Sequence, residues 1–237
     1  MKNKFVVLSD IHFPYQDDKA LKAVYKFLEQ HPVDTIILNG DILDFYDVSS
    51  FDKDPQRMFS LQTELDMAEN FFKKLRKLFP EAEMYFVKGN HEDRMERYLQ
   101  KHSELFTLKA LKIPTLLQLE KFNIHYKPKG FKFGSLKIIH GDLIRKFSSY
   151  TARGELEKHD SSGISGHTHR GGVYYYKTPE RYLAWFESFC LCDVHPFYVD
   201  DPNWQSGFLY GYTEGDSFAV TPIPIVDGKI KCVLLEE

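Results

Sequence analysis

Apolar residues follow two rhythms along the chain. Unbroken runs at Phe5-Val6-Val7-Leu8, Thr35-Ile36-Ile37-Leu38 and Met84-Tyr85-Phe86-Val87 are rich in β-branched and aromatic side chains, and they predict short strands buried on both faces. Between them the spacing opens to threes and fours. Ala20, Leu21, Val24, Phe27 and Leu28 predict an amphipathic helix over residues 19–30, ended by Pro32; Leu65, Ala68, Phe72, Leu75 and Phe79 predict another over 62–79, closed by Pro80. A charged helix follows over 93–101. Strand, helix and strand in this order predict a parallel sheet with crossover helices.

The pattern changes after residue 101. Residues 102–122 read as helix and loop, and then come consecutive strands at 122–126, 131–133 and 136–139, the last two joined at Gly134-Ser135. A polar, basic stretch over 143–158 precedes further strand-like runs at 173–176, 182–186, 207–212, 218–220, 223–226 and 231–235, with Asp227-Gly228 as a hairpin turn. These later runs are expected to form a second sheet packed on the first. Residues 45–60 have no clear period and read as an irregular loop.

Composition narrows the class. A chain of 237 residues with 43% hydrophobic and 15% aromatic content can fill one large α/β domain over 1–237. A net charge of −3 argues against coating nucleic acid by bulk positive charge. Cys190, Cys192 and Cys232 match no zinc-knuckle spacing and read as reduced thiols, which with no signal peptide and no membrane-length apolar run points to a cytoplasmic protein without membrane contact. Cys190-Leu191-Cys192 alternates as a strand does, with both thiols on one core-facing side.

Chemistry gathers where the predicted strands end. The first is followed by Asp10-Ile11-His12, whose alternate side chains share a face in extended backbone. The second is followed by Gly40-Asp41-Ile42-Leu43-Asp44, in which Gly40 admits close approach, Asp41 offers two oxygens to bridge two ions and Asp44 is placed to hold another side chain. Gly89-Asn90-His91-Glu92 combines a neutral oxygen ligand with a proton-transfer group. His140-Gly141-Asp142 and Gly166-His167-Thr168-His169 add three imidazoles, and His167 and His169 are spaced to serve different ions. Arg94, nearest the tetrapeptide, is placed to meet an anion, whereas Arg145, Lys146 and Arg153 read as rim residues and Asn203-Trp204 as an ordinary loop.

In order and spacing, these motifs resemble the calcineurin-like metallophosphoesterases from Asp10 to His169. The resemblance implies an α/β fold of four layers, an α-β-β-α sandwich of two mixed β-sheets flanked by helices. It implies that Asp10, His12 and His169 hold one divalent ion, that Asn90, His140 and His167 hold a second, and that Asp41 bridges them. His91 then matches the proton donor to the leaving oxygen, and Asp44 the carboxylate that orients it. Asp, Asn and His ligands favour Mn2+, with Fe, Zn, Ni or Co as alternatives. The implied activity is hydrolysis of a phosphodiester or phosphomonoester, in-line, by metal-bound hydroxide. Phe45 stands where protein phosphatases carry Arg, and His91 where lipid-precursor pyrophosphohydrolases carry Arg, so neither substrate class is favoured. A nuclease acting on DNA or RNA is the alternative, with a nucleotide or nucleic acid as partner. A catalytically inactive binding scaffold would show eroded ligands, which this sequence does not.

Overall fold

Burial on both sides is what the first apolar run demands, and it obtains it. In a computed structural model that describes residues 2–57 and 59–231, strand β1 (Asn3–Leu8) buries its last four residues completely. Val6 and Leu8 belong to a core shared with helices, whereas Phe5 and Val7 face a second core lined by the other sheet. This period-two split makes the strand the middle of a layered structure.

Helix α1 (Asp18–Gln30) starts where the Asp17 side chain accepts the amides of Lys19 and Ala20, and it buries the five apolar residues of its predicted stripe. β2 (Thr35–Leu38) follows. Helix α2 (Leu61–Leu78) is capped by Ser60 and buries Ala68, Phe71, Phe72 and Leu75, then β3 (Glu83–Val87) returns parallel to β2. Helix α3 (Glu92–Lys101) leads into the short helices α4 (Ser103–Phe106) and α5 (Ile113–Leu116), and β4 (Ile124–Lys127) completes a parallel run. Next come β5 (Phe131–Phe133), β6 (Leu136–Ile138), α6 (Tyr150–His159), β7 (Gly163–Ser165), β8 (Gly171–Lys177) and β9 (Tyr182–Ser188). β10 (Gly207–Glu214), β11 (Ser217–Val226) and β12 (Lys229–Ile230) end the described chain.

The strands form a seven-stranded sheet ordered β12-β11-β10-β1-β2-β3-β4 and a five-stranded sheet ordered β5-β6-β7-β9-β8, both mixed. Phe5, Val7, Ile37, Phe133, Ile164 and Phe186 fill the space between them. On the far side of the second sheet α6 packs Ala152 and Leu156 against Trp185. The order of layers is helices, sheet, sheet, helix.

One expectation is corrected. The runs at 207–212, 218–220 and 223–226 do not join the second sheet; they form β10 and the single strand β11, and β10 pairs antiparallel with β1 in the first sheet. Strand 122–126 likewise becomes β4 of the first sheet. Alternation of side chains specifies a half-buried strand but not the sheet that receives it, and β1 has a free edge until β10 pairs with it. Cys232 and the run at 231–235 lie outside the described residues, except for Lys231. No helix among the described residues is long and apolar enough to cross a membrane.

Candidate metal centre

Leu8 pairs with Leu38 and Leu38 with Phe86, so β1, β2 and β3 end side by side and the segments after them emerge at one edge. Across the sandwich, β6 and β7 end together through Ile138 and Ile164, delivering His140 and the 166–169 segment to the same place. Carboxyl ends of strands are where an α/β sheet leaves room for chemistry.

The backbone there is not extended. Asp10, His12, Asp41, His167 and His169 all adopt left-handed conformations, with φ of 53°, 53°, 51°, 70° and 57°. Asp10 and His12 therefore meet through two left-handed residues and not through strand alternation. Each such residue costs roughly 1–2 kcal/mol, and strain of this kind gathered in one place marks a functional site. Two glycines make the convergence sterically feasible: a Cβ on Gly40 would strike the His140 ring, and one on Gly89 would strike the Asp41 carboxylate. Gly40 thus clears space for an imidazole.

All the candidate ligands come together. His169 Nε2 is 3.1 Å from His12 Nε2 and 3.2 Å from Asp10 Oδ1. His140 Nε2 is 3.2 Å from Asp41 Oδ2 and 3.1 Å from Asn90 Oδ1. His167 joins the second group, its ligand atom within 4.8 Å of those of Asp41 and His140, so the two histidines of the 166–169 segment do fall to different groups. Asp41 stands between the groups. Its Oδ1 accepts the His91 amide at 2.8 Å, which leaves Oδ2 alone facing His140 and, at 3.8 Å, His12. Asp41 would therefore be the residue that two ions share.

This donor set fits divalent cations. Two ligands about 2.1 Å from one ion at roughly tetrahedral to right angles lie about 3.0–3.4 Å apart, as the pairs above do. The two imidazole nitrogens of His12 and His169, 3.1 Å apart, converge as two ligands of one ion would. The electrostatics agree. Burial opposes the charge on His12 and His140, yet the carboxylates of Asp10, Asp41 and Asp44 push His12 up to about 10, and Asp41 and Asp10 push His140 to about 10. Burial would likewise raise the Asp41 carboxyl, but His140, His91 and His12 hold it well below its usual range. Second contacts orient the rings: His140 Nδ1 donates to the Asn39 carbonyl at 2.8 Å, turning Nε2 inward.

Around the ligands stands a reactive wall. His91 Nδ1 is 2.8 Å from the Asp44 carbonyl oxygen and 3.1 Å from Asp44 Oδ1, and its Nε2 accepts from Arg94 at 2.9 Å. Burial lowers the His91 pKa. Asp44 Oδ2 accepts from Arg57 at 2.5 Å, and Arg57 lies over the rings of Tyr46, Tyr198 and Tyr15 at 3.7, 4.3 and 4.8 Å. His91, Asp44, Arg94, Arg57, Tyr46 and Tyr198 line a cavity of about 420 Å³.

Sequence patterns did not single out Arg57, gave Glu92 no role of its own and read Cys192 as core packing, and they assigned Trp204 to an ordinary loop. Trp204 in fact packs on His169, ring centroids 4.2 Å apart, and lines the cavity. Arg57 lies in the aperiodic 45–60 loop, where no periodicity marks any position. Glu92 stands directly after His91, but the Asp41 and Ile42 amides it accepts lie some fifty positions away, so nothing local marks its role. Cys190 and Cys192 are buried as expected, with Cys192 Sγ 3.7 Å from His169 Nδ1. Burial, with Cys190 beside it, pushes the Cys192 thiol up, so in the absence of an ion it stays protonated.

Comparison with known proteins agrees with this geometry. Residues 3–195 match the calcineurin-like phosphoesterase family. The Gene 54 protein of Mycobacterium phage D29 is 28% identical over 246 aligned residues, covering 97% of this chain and 96% of its own. The corresponding protein of Mycobacterium phage L5 is 26% identical with the same coverage. Among solved structures, Vacuolar Protein Sorting 29 from Cryptosporidium parvum superposes with a TM-score of 0.52 at 12% identity, over 97% of this chain and 95% of that one.

Proposed function

The chain belongs to the calcineurin-like phosphoesterase family, and from that premise we propose that it is a binuclear-metal-dependent hydrolase of phosphodiester or phosphomonoester bonds. The observation that carries this proposal is Asp41 Oδ2, a single oxygen within 3.2 Å of His140 Nε2 and 3.8 Å of His12 Nε2, at the seam of two donor groups. Asp10, His12 and His169 would hold one ion, Asn90, His140 and His167 the other, and Asp41 both; Mn2+ suits this mixture of oxygen and nitrogen donors. Two such ions supply Lewis acidity toward the phosphate oxygens and a hydroxide nucleophile at neutral pH.

The chain's own residues supply the rest. His91 is the proton donor to the leaving oxygen: the Asp44 carbonyl holds its Nδ1, which aims Nε2 at the cavity. Arg94 now occupies that nitrogen, and an anionic substrate draws its guanidinium to a phosphate oxygen, freeing Nε2 to take up a proton from water under the substrate's negative charge and then pass it to the leaving oxygen. Arg57, caged by tyrosines, keeps Asp44 in place.

The test is an assay of metal-stripped protein reloaded with Mn2+, on 4-nitrophenyl phosphate, bis(4-nitrophenyl) phosphate, 2′,3′-cyclic nucleotides and single-stranded DNA. Turnover of at least one substrate that vanishes on chelation and in Asp41→Ala is expected. Turnover that persists in chelator, or none on any of the four, overturns the proposal.

A further inference from the structure

A second cavity, of about 410 Å³, adjoins the candidate metal centre, and Phe51 and Arg94 belong to the walls of both. One side of it is a face of α3. Arg94, Arg97 and Lys101 recur there at three- and four-residue intervals, so they stand in a row one turn apart. The row begins beside Asn90, a proposed ion ligand, and extends about 10 Å from Arg94 to Lys101 at helical rise.

Charge in this cavity departs from that of the chain. Among the described residues no acidic one lines it, although acidic residues outnumber basic ones 34 to 31 overall. Of the neighbouring carboxylates, Asp93 and Glu96 pair with Lys88, and Asp93 is shared with Arg97, whose Nε it takes at 3.2 Å. Arg97 Nη2 reaches the Asn90 carbonyl only at 3.3 Å. Lys101 forms no ion pair among the described residues. By contrast a cavity of about 770 Å³ elsewhere is lined by Asp17, Asp18, Asp193 and Asp227, with Lys19 as its one lysine.

An apolar ring accompanies the cations. Phe51 is 63% exposed, and the Arg94 guanidinium lies 5.4 Å from its centroid. A large exposed aromatic beside a row of cations, next to a centre suited to cleaving phosphate esters, is what a base and its neighbouring phosphate require.

We propose that this cavity is a subsite for a second phosphate of the substrate, adjacent to the one that is cleaved, with Arg97 and Lys101 taking the phosphate and Phe51 stacking on a nucleobase. The proposal rests on the phosphoesterase reading of the neighbouring centre and adds the substrate class, a nucleotide bearing more than one phosphate. Such a phosphate comes either from the next residue of a single-stranded nucleic acid or from a nucleoside polyphosphate.

The experiment compares wild type with Lys101→Glu and Lys101→Arg in Mn2+. Kinetics are measured on decathymidylate and on bis(4-nitrophenyl) phosphate, which has one phosphate, together with ATP as a competitor; equilibrium binding of fluorescein-labelled decathymidylate and of ATP is measured alongside. In Lys101→Glu, affinity for a multi-phosphate ligand is expected to fall about tenfold more than kcat/KM for bis(4-nitrophenyl) phosphate, with its salt dependence reduced by about one phosphate contact and recovered in Lys101→Arg. Loss on decathymidylate alone assigns the phosphate to a nucleic acid, and loss on ATP alone to a nucleoside polyphosphate. Equal effects on all ligands, or none on either multi-phosphate ligand, overturn the subsite. Lys101-dependent binding without turnover of any substrate keeps the subsite and overturns the phosphoesterase reading; turnover of bis(4-nitrophenyl) phosphate with no Lys101 dependence does the reverse.

Discussion

Glu92 and Asp41 are joined by a hydrogen bond that no side-chain ligand makes: the Glu92 carboxylate accepts the Asp41 backbone amide at 2.9 Å. The same carboxylate accepts the amides of Gly89 and Ile42, each at 2.9 Å, and of Leu43 at 3.3 Å, so one fully buried side chain ties the loop after β2 to the loop after β3. The two loops carry Asp41 and Asn90, and Glu92 sets their spacing.

Glu92→Gln replaces one accepting oxygen with an NH2 group that faces N–H donors. Orphaning buried amides in this way costs about 2–4 kcal/mol, which for a chain of this size lowers Tm by roughly 5–10 °C. Thermal unfolding by circular dichroism measures it. A Tm within a degree of wild type would show that the loops are held by something else.

Arg57→Met keeps an unbranched chain inside the cage of Tyr15, Tyr46 and Tyr198 but deletes the bond to Asp44 Oδ2. Asp44 then has lost its fixed partner while His91 still leans on it. Loss of roughly 1–3 kcal/mol of charge-assisted positioning should appear as about a tenfold or greater drop in kcat with KM little changed. An equal rise in KM with kcat intact would instead make Arg57 a substrate contact.

Most of the helices and the parallel strands could be read from periodicity, because burial of a single stripe leaves a 3.6-residue signature and burial of a whole strand leaves a continuous run. Val24 and Phe72 illustrate the first, Ile36 the second. The side chains proposed as ligands were visible for a different reason: short glycine-flanked clusters after apolar runs put polar groups where a strand must end. What supports them was hidden. Glu92 acts on backbone amides of residues some fifty positions away, and Arg57 acts from a loop with no period, so neither leaves a local pattern. The sheet that receives β10 was hidden too, since its partner β1 lies at the opposite end of the chain.

Glu64 offers a pH test away from the ligands. It is buried, and burial, followed by the nearby Asp44 and Asp47 charges, pushes its carboxyl up to about 8 although the amides of Phe45 and Tyr46 favour the charged form. A folded pKa above the unfolded value means that the native state binds the extra proton. The stability this provides is complete below about pH 4.5 and is lost as pH rises through about 8. Between pH 6 and 9 the wild type should lose on the order of 3 kcal/mol through this group. Glu64→Gln can still accept the Phe45 amide, so it should flatten this dependence and exceed wild-type stability at pH 9. Denaturant titrations at both pH values check it, and parallel losses in the two proteins would remove Glu64 as the cause.

His91→Ala separates proton donation from ion binding. The His91 ring meets the proposed ligands by packing edge-on against the His12 ring, centroids 4.3 Å apart, and by standing 3.8 Å from Asp41 Oδ2, whereas the hydrogen bond that holds Asp41 Oδ1 at 2.8 Å comes from its backbone amide, which alanine retains. Bound metal, counted by inductively coupled plasma mass spectrometry, should therefore stay at the wild-type ratio. Turnover should depend on the leaving group. A 4-nitrophenolate departs without a proton, so its esters should lose little, whereas an alkyl ester needs protonation and should slow by about 10²–10⁴-fold, the usual contribution of a positioned acid. Arg94 loses its partner at Nε2 and retains the Asp44 carbonyl at 2.9 Å, so its charge remains at the cavity and cannot account for a leaving-group effect. Alkyl-ester hydrolysis by His91→Ala at the wild-type rate, with metal content unchanged, would assign the proton to another group.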